Sequence, residues 1–471
     1  MQISDYKNIY FLGIGGIGMS ALARWFNING FQVAGYDRTA TTLTDTLQQE
    51  GISVHFDDSI DLIPSAFLEN PTQTLVVFTP AIPKDHQEYN YFISNHFPLL
   101  KRSKVLGLIA SEMYTIGIAG THGKTTTSSM TAHLLRHSNV NCAAFLGGIT
   151  QNYGTNMLLN EPSEDLSSVP CVVEADEFDR SFLTLFPEIA VVTSTDADHL
   201  DIYGDHHAVL DSFSAYVSQI KPTGQLFMKK GLALAPKTQA KVWEYSLNEG
   251  DYHAQNIRIE NACFIFDVVH PDGIIKGLEL KVPGFHNVEN AIAAIAIGLT
   301  IGLTDDQIRK AIATFGGVKR RFEYYLKTDS NVLIDDYAHH PAEVAAFLSS
   351  LKALYPDRHI TAIFQPHLYS RTRDFALEFA QSLSIADSVV LLEIYPAREL
   401  PIEGVSADLI FKHITCDKMQ CMKSDLINVI KNRSTDVIAT IGAGDIDTYI
   451  EPLKQLIQDS ISFSGFQSQS Q

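Results

Sequence analysis

Thr115-Ile116-Gly117-Ile118-Ala119-Gly120-Thr121-His122-Gly123-Lys124-Thr125-Thr126 is the stretch on which the reading of this chain turns. Its first five residues make a short, mostly apolar strand. A glycine turn follows from Gly120 to Lys124, and Lys124-Thr125-Thr126 opens a helix that runs towards His137. A buried strand that ends in such a loop brings backbone N–H groups, an ammonium and a hydroxyl around one point. Nucleotide phosphates and a Mg²⁺ ion need that set of partners. The loop is a shortened variant, because Ile118 stands where the full phosphate-loop pattern has its first glycine.

Two acidic clusters follow. Glu174-Ala175-Asp176-Glu177 comes after the strand Cys171-Val172-Val173, and Asp196-Ala197-Asp198-His199 comes after the strand Ile189 to Thr193. Both fall at the strand ends where parallel sheets bind ligands. Carboxylate oxygens suit Mg²⁺, and the neutral imidazole of His199 can complete a second metal position. Either cluster alone reads as a solvated acidic loop; the phosphate loop upstream makes the pair a candidate metal site.

Upstream, Ile9-Tyr10-Phe11-Leu12 is a strand, and Gly13-Ile14-Gly15-Gly16-Ile17-Gly18 satisfies G-x-G-x-x-G. Met19, Leu22, Ala23 and Phe26 then share one helical face, and Val33 to Tyr36 returns as the next strand, followed by Asp37. Taken alone, this motif indicates a dinucleotide, with its diphosphate on the helix N-terminus. A third strand–turn–helix region has strands at 332–334, 360–364, 389–394 and 437–441, and a last helix with Ile446, Tyr449, Ile450, Leu453 and Ile457 on one face. Asn287 and Asn290 precede an Ala-rich helix and suit either a cap or an adenine edge. Lys319-Arg320-Arg321 reads as a phosphate clamp or a solvated hinge, with the clamp preferred.

The chain has 471 residues, room for about three domains. The expected divisions are 1–107, 108–317 and 318–459, with a disordered Ser/Gln/Gly/Phe tail at 460–471. Thirty-five Lys and Arg against 54 Asp and Glu give a net charge of −19, which repels nucleic acid yet leaves room for small anionic ligands. Five cysteines without a Cys-x-x-Cys pair read as reduced thiols. The absence of a leader or a membrane-length apolar run sets the expectation of a cytoplasmic protein without a membrane partner.

The assembled motifs resemble the Mur ligases, which add amino acids to peptidoglycan precursors. The likeness is carried by Gly13 to Ala23, Ala119 to Met130, Glu174 to Phe182, Asp198 to Tyr203, Pro283 to Asn290, Gly317 to Glu323, Asp335 to Pro341, Phe364-Gln365-Pro366-His367 with Tyr369 and Arg371, and Gly442-Ala443-Gly444-Asp445, in the family's order. It implies an α/β fold of three domains: a Rossmann-like N-terminal domain, a central P-loop ATPase-like domain with a parallel sheet, and a C-terminal Rossmann-like domain. It also implies an ATP-dependent amide-forming reaction in which UDP-N-acetylmuramate receives L-alanine through an acyl phosphate, in a monomer or weak homodimer. The first glycine loop, Gly13, Gly15, Gly16, Ile17 and Gly18, would then hold a UDP diphosphate in place of a dinucleotide.

By the same resemblance, Gly120 to Thr126, with His122 inside the loop, holds ATP. Lys124 contacts its β- and γ-phosphates, Thr125 and Glu174 hold one Mg²⁺, and His199 holds a second metal. Asn287 and Asn290 lie near adenine, Arg321 at the γ-phosphate, Asp336 at the ribose, and His367 and Arg371 on the amino-acid side. Two departures stand out: Thr193-Ser194-Thr195 replaces a stretch that commonly contains Asn, and no lysine occurs between His199 and Lys221 to match the carbamylated lysine of several sister ligases. Three other readings compete: a recycling ligase that attaches a murein tripeptide, a non-catalytic nucleotide-sugar-binding regulator, and a dehydrogenase.

Overall fold

The computed structural model describes residues 3–79, 82–163, 165–196, 203–260, 262–397 and 399–468. The chain divides into two compact units. The first comprises residues 1–254, 268–275 and 290–312; the second comprises 255–267, 276–289 and 313–471.

The first unit opens with a sheet whose strands lie in the order Ser53–His55, Gln32–Tyr36, Asn8–Leu12, Thr74–Phe78, Leu99–Lys101, all parallel. Every residue of Asn8–Leu12 is buried, as expected of a central strand covered on both faces. The strand order reverses beside it, so the Gly13–Gly18 turn lies at the topological switch point. Met19, Leu22, Ala23 and Phe26 of the helix Ile17–Ile28 are all buried, as their spacing requires. Trp25 is buried too, and its indole N–H reaches Asn160 Oδ1 at 3.1 Å.

A second sheet has Tyr114–Ala119 between Ile189–Val192 and Pro170–Ala175. The second glycine loop therefore leaves the sheet between the ends of two parallel neighbours. The helix after it, Lys124–His137, is buried from Thr125 to Leu135 although its first half is Thr and Ser. Its hydroxyls turn back onto its own carbonyls, as in Thr131 Oγ1 to Thr127 O at 2.8 Å, which lets polar residues sit inside. Beyond Gln225–Lys229 and Lys241–Ser246 the sheet order continues through Tyr252–Glu260, Cys263–His270 and Gly273–Leu280, long strands that the sequence reading did not foresee.

The second unit holds a sheet in the order Glu323–Lys327, Val332–Asp336, Val437–Ile441, Ile360–Phe364, Ser388–Leu391, Asp417–Gln420, parallel except for its first strand. Ile446, Ile450, Leu453 and Ile457 form one core cluster against it, the face the spacing marks out. That final helix runs Ile450–Ser468, with Pro452 in its first turn where proline is tolerated, so the chain stays helical past 460, where composition led to the expectation of disorder. All five cysteines are free. Among the described residues no helix is long and apolar enough to cross a membrane.

Candidate active site

Glycine is required at the second loop by its backbone. Gly123 has φ +80°, and a Cβ there would lie 2.8 Å from Asn290 Oδ1; a Cβ on Gly120 would lie 2.0 Å from Thr193 Oγ1. The loop is braced from the neighbouring strand end. Thr121 N donates to Ser194 O at 3.2 Å, His122 N to Ser194 Oγ at 2.6 Å, and Thr193 Oγ1 to His122 O. The Thr193-Ser194 stretch that departs from the family's common pattern thus supplies hydroxyls that hold the loop. His122 faces Asp196, with Nε2 3.4 Å from Oδ2.

Lys124 Nζ donates to Gly120 O at 2.5 Å and to Glu177 Oε1 at 3.0 Å, with Glu177 Oε2 at 2.7 Å. Burial alone would depress the pKa of this ammonium, but Glu177, Asp176 and Glu174 outweigh it and raise the pKa, so Lys124 stays a cation. Glu177 is 1% exposed, and sequence reasoning gave it no role of its own.

Glu174 is the hub of the site. Its Oε1 accepts from Thr125 Oγ1 at 2.9 Å, and its Oε2 accepts from Gly147 N at 2.7 Å. A Cβ on Gly147 would lie 2.2 Å from Oε1, so any side chain there would displace the carboxylate; the Gly147-Gly148 pair after the strand Ala143–Phe145 was the unread signal. Burial raises the Glu174 pKa against the pull of Lys124, Thr125 and Gly147. A hydroxyl and a carboxylate oxygen side by side beside a phosphate loop fit Mg²⁺, which takes one or two carboxylates and completes its shell with phosphate and water. Among the described residues no three His, Cys, Asp or Glu side chains group closely enough to hold a metal ion. His199 lies outside the described residues.

The first loop joins this region through a cavity of about 130 Å³. Gly18, Leu22 and Arg102 line it on one side, Gly147, Glu174 and Asp176 on the other. Within the loop, Gly15 N donates to Asp37 Oδ2 at 2.7 Å, and Ile17 at the start of the helix is 60% exposed. Asn290, in the first unit, accepts from Thr127 Oγ1 at 3.2 Å. Thr126 is buried in the first helical turn.

The remaining candidates belong to the second unit. Asn287 is an early residue of the helix Phe285–Ile301, and its amide donates to Pro283 O at 2.6 Å, a bond to the chain just before the helix. Asp336 accepts from Phe322 N and Ala338 N, both at 2.8 Å, and burial pushes its pKa up to about 7. Asp335 takes Thr440 Oγ1 at 2.6 Å and Arg320 Nε at 3.1 Å. Arg320 is the more deeply engaged of the two arginines, donating also to Gly442 O and Gly444 O, whereas Arg321 Nη1 lies 3.8 Å from Glu343 Oε1. His367 is stacked on Tyr395 with ring centroids 5.9 Å apart, and Arg371 Nη1 lies 3.4 Å from its Nδ1, so these two residues do come together.

A strand–glycine loop–helix at the reversal point of each of two parallel sheets, the second with a Lys-Thr pair and a buried carboxylate, defines an α/β protein built to hold phosphorylated ligands. The Mur ligase models for the catalytic, middle and glutamate ligase domains match residues 8–114, 118–298 and 320–445. The chain is 50% identical over 461 residues to a UDP-N-acetylmuramate–L-alanine ligase of Phocaeicola vulgatus, covering 97% of this chain and 99% of that one. It is 49% identical to the corresponding ligase of Parabacteroides distasonis, over 97% and 98%. The solved UDP-N-acetylmuramate-alanine ligase of Thermotoga maritima superposes with TM-score 0.75 at 28% identity, covering 96% and 99%. This chain belongs to the Mur ligase family, and it has that family's three-part α/β architecture.

Proposed function

We propose that this ligase uses ATP to join L-alanine to the muramate carboxylate of UDP-N-acetylmuramate, giving UDP-N-acetylmuramoyl-L-alanine, ADP and phosphate. The observation that carries the reading is the cavity lined both by Gly18 of the first loop and by Glu174 of the second, because a nucleotide sugar held at one end can present its carboxylate at the other. The substrates named for the relatives at 50% and 49% identity support the choice of alanine.

A carboxylate at neutral pH has no leaving group. One of its oxygens attacks the γ-phosphorus, ADP departs, and the acyl phosphate forms; the alanine amine then attacks the acyl carbon, phosphate leaves, and the amine proton passes to solvent. Lys124 keeps its charge on the β- and γ-phosphates while Gly120 to Thr126 supply backbone donors. Thr125 and Glu174 would hold Mg²⁺, which offsets charge on the transferring phosphoryl group. His199 would hold a second metal. Asn290 and Asn287 take the adenine end, Asp336 the ribose, Arg321 the γ-phosphate, and His367 with Arg371 the amino acid.

Carboxylate-¹⁸O-labelled UDP-N-acetylmuramate should pass one label per turnover into inorganic phosphate. Unlabelled phosphate would remove the acyl-phosphate step, and faster turnover with the murein tripeptide than with L-alanine would move the protein to the recycling branch.

A further inference from the structure

Lys124 has a protein partner for every proton it can offer. An ammonium carries three N–H donors, and Nζ lies 2.5 Å from Gly120 O, 3.0 Å from Glu177 Oε1 and 2.7 Å from Glu177 Oε2. Two of these partners are the oxygens of one carboxylate, which meets the ammonium edge-on as two oxygens of a phosphate group would. The third is a carbonyl of the loop itself. For Lys124 to serve the phosphates of ATP, its bonds to Glu177 have to be exchanged for bonds to phosphate.

Of the two residues, Glu177 is the one held in place. It is buried, and its backbone oxygen accepts from the Tyr203 hydroxyl at 2.6 Å and from Arg180 N at 2.8 Å, at the start of the short 3₁₀ helix Phe178–Thr184. Lys124 carries its charge on a flexible four-carbon stem, so the ammonium can swing while its backbone stays in the first turn of Lys124–His137. Charge balance alone does not call for so close a grip, because Asp176 and Glu174 also act on the Lys124 charge. Glu174, moreover, is engaged by Thr125 and Gly147, which leaves Glu177 as the carboxylate that takes the ammonium itself.

We infer that Glu177 is a placeholder for phosphate: it holds the Lys124 ammonium between turnovers, yields it to ATP and takes it back as ADP leaves. The inference rests on the proposal that Lys124 contacts the phosphates of ATP. Glu177 is then a positioning residue that acts through Lys124, and it competes with the nucleotide. That fixes the sign of its substitution. A buried lysine that loses a structural partner is left uncompensated and holds ATP less well; one released from a competitor holds ATP better.

The test measures ATP and ADP affinities on the full chain by calorimetry with Mg²⁺ present, with UDP-N-acetylmuramate affinity and Tm alongside. Glu177→Gln keeps the shape and removes the charge, and it should bind both nucleotides about tenfold more tightly, the scale of a hydrogen bond to a charged group. Its kcat should fall, because ADP leaves more slowly, while UDP-N-acetylmuramate affinity stays within about twofold. Glu177→Asp keeps the charge but draws it back by one methylene, out of reach of the ammonium, and should gain about threefold or more in ATP affinity. This variant separates lost competition from relief of simple repulsion, which it leaves in place. It also decides the matter where Glu177→Gln does not fold. ATP affinity unchanged or weaker in Glu177→Asp overturns the placeholder, whatever Glu177→Gln does. A wild type whose ATP affinity is unmoved by Lys124→Ala overturns the assignment of Lys124 to the phosphates, and Glu177 falls with it.

Discussion

The two glycine loops of the first unit have the same local plan and opposite surroundings. Each leaves a buried parallel strand at the reversal point of its sheet and enters a helix. The first loop is met by an aspartate on its backbone, Asp37 at Gly15 N, and by an arginine laid over its last glycine. The second carries its own cation, Lys124, tethered by Glu177, with a carboxylate–hydroxyl pair, Glu174 and Thr125, beside it. Glycines thus set the path of the backbone in both loops, and the side chains brought from other strands decide what each can hold. A loop fitted with a lysine, a hydroxyl and a carboxylate is equipped to transfer a phosphoryl group; one without them is equipped to hold an anion.

The sharpest break in the comparison is Lys124→Ala. Ligation should fall about 10³-fold or more, the scale of losing a charged group aimed at the transition state, while UDP-N-acetylmuramate affinity stays within twofold. Direct binding and steady-state rates measure the two separately, and a joint loss would mean that the loops are not independent. Glu174→Gln should follow with a loss of about 100-fold in kcat, partly restored by excess Mg²⁺. An undiminished rate would remove Glu174 from the metal site.

Much of this division is readable in the chain, and what is not has a physical reason. Strands such as 115–119, 171–173 and 189–193 announce themselves because both faces are buried and the apolar run is continuous. Tyr252–Glu260, by contrast, alternates half-buried with exposed residues from Gln255 onward and carries His, Gln, Asn, Arg and Glu, so it lacks a continuous apolar signal. The Lys124 site is local in sequence and was legible. Gly147, Glu177 and Arg102 reach their partners across 27, 53 and 84 residues, respectively, and nothing local in the sequence marks those meetings. Adjacent Arg320 and Arg321 look alike in sequence, and only the backbone, at φ +58° for Arg320, shows that Arg320 turns to Asp335, Gly442 and Gly444.

A milder test works on the first loop. A Cβ on Gly15 would meet Asp37 Oδ2 and Thr44 Cγ2, each at 2.9 Å, so Gly15→Ala displaces the aspartate that orders the loop. The KM for the nucleotide sugar should rise about tenfold, the effect of a small overpacking strain at a binding loop, with the KM for ATP unchanged. Matching changes in both would again join the loops.

The smallest effect comes from the buried carboxylate that serves the first sheet, as Glu174 serves the second. Glu88 is fully buried, and burial pushes its pKa up to about 7. Ionised, it accepts the Tyr10 hydroxyl at 2.6 Å, and His55 Nε2, 2.8 Å from the same hydroxyl, receives no proton from it. Protonated, it donates to Tyr10, which frees the Tyr10 proton for His55, whose Nδ1–H meets Asp57 O at 3.0 Å. The folded pKa lies above the unfolded one, so this group's contribution to stability is complete below about pH 4.5 and is lost as pH rises towards 7. His55 and His86, both lowered by burial, act in the opposite sense, costing stability as pH falls below 6.5. Comparing wild type with Glu88→Gln isolates the carboxylate, because the amide N–H₂ donates to Tyr10 as the protonated acid does. The variant should be about 2 kcal/mol more stable at pH 8 and nearly equal to wild type at pH 5, with ligation unchanged at saturating substrates. Denaturant melts at the two pH values measure the difference. A stability gap independent of pH would show that Glu88 is already neutral throughout, and a changed KM for the nucleotide sugar would extend the first loop's binding apparatus to Glu88.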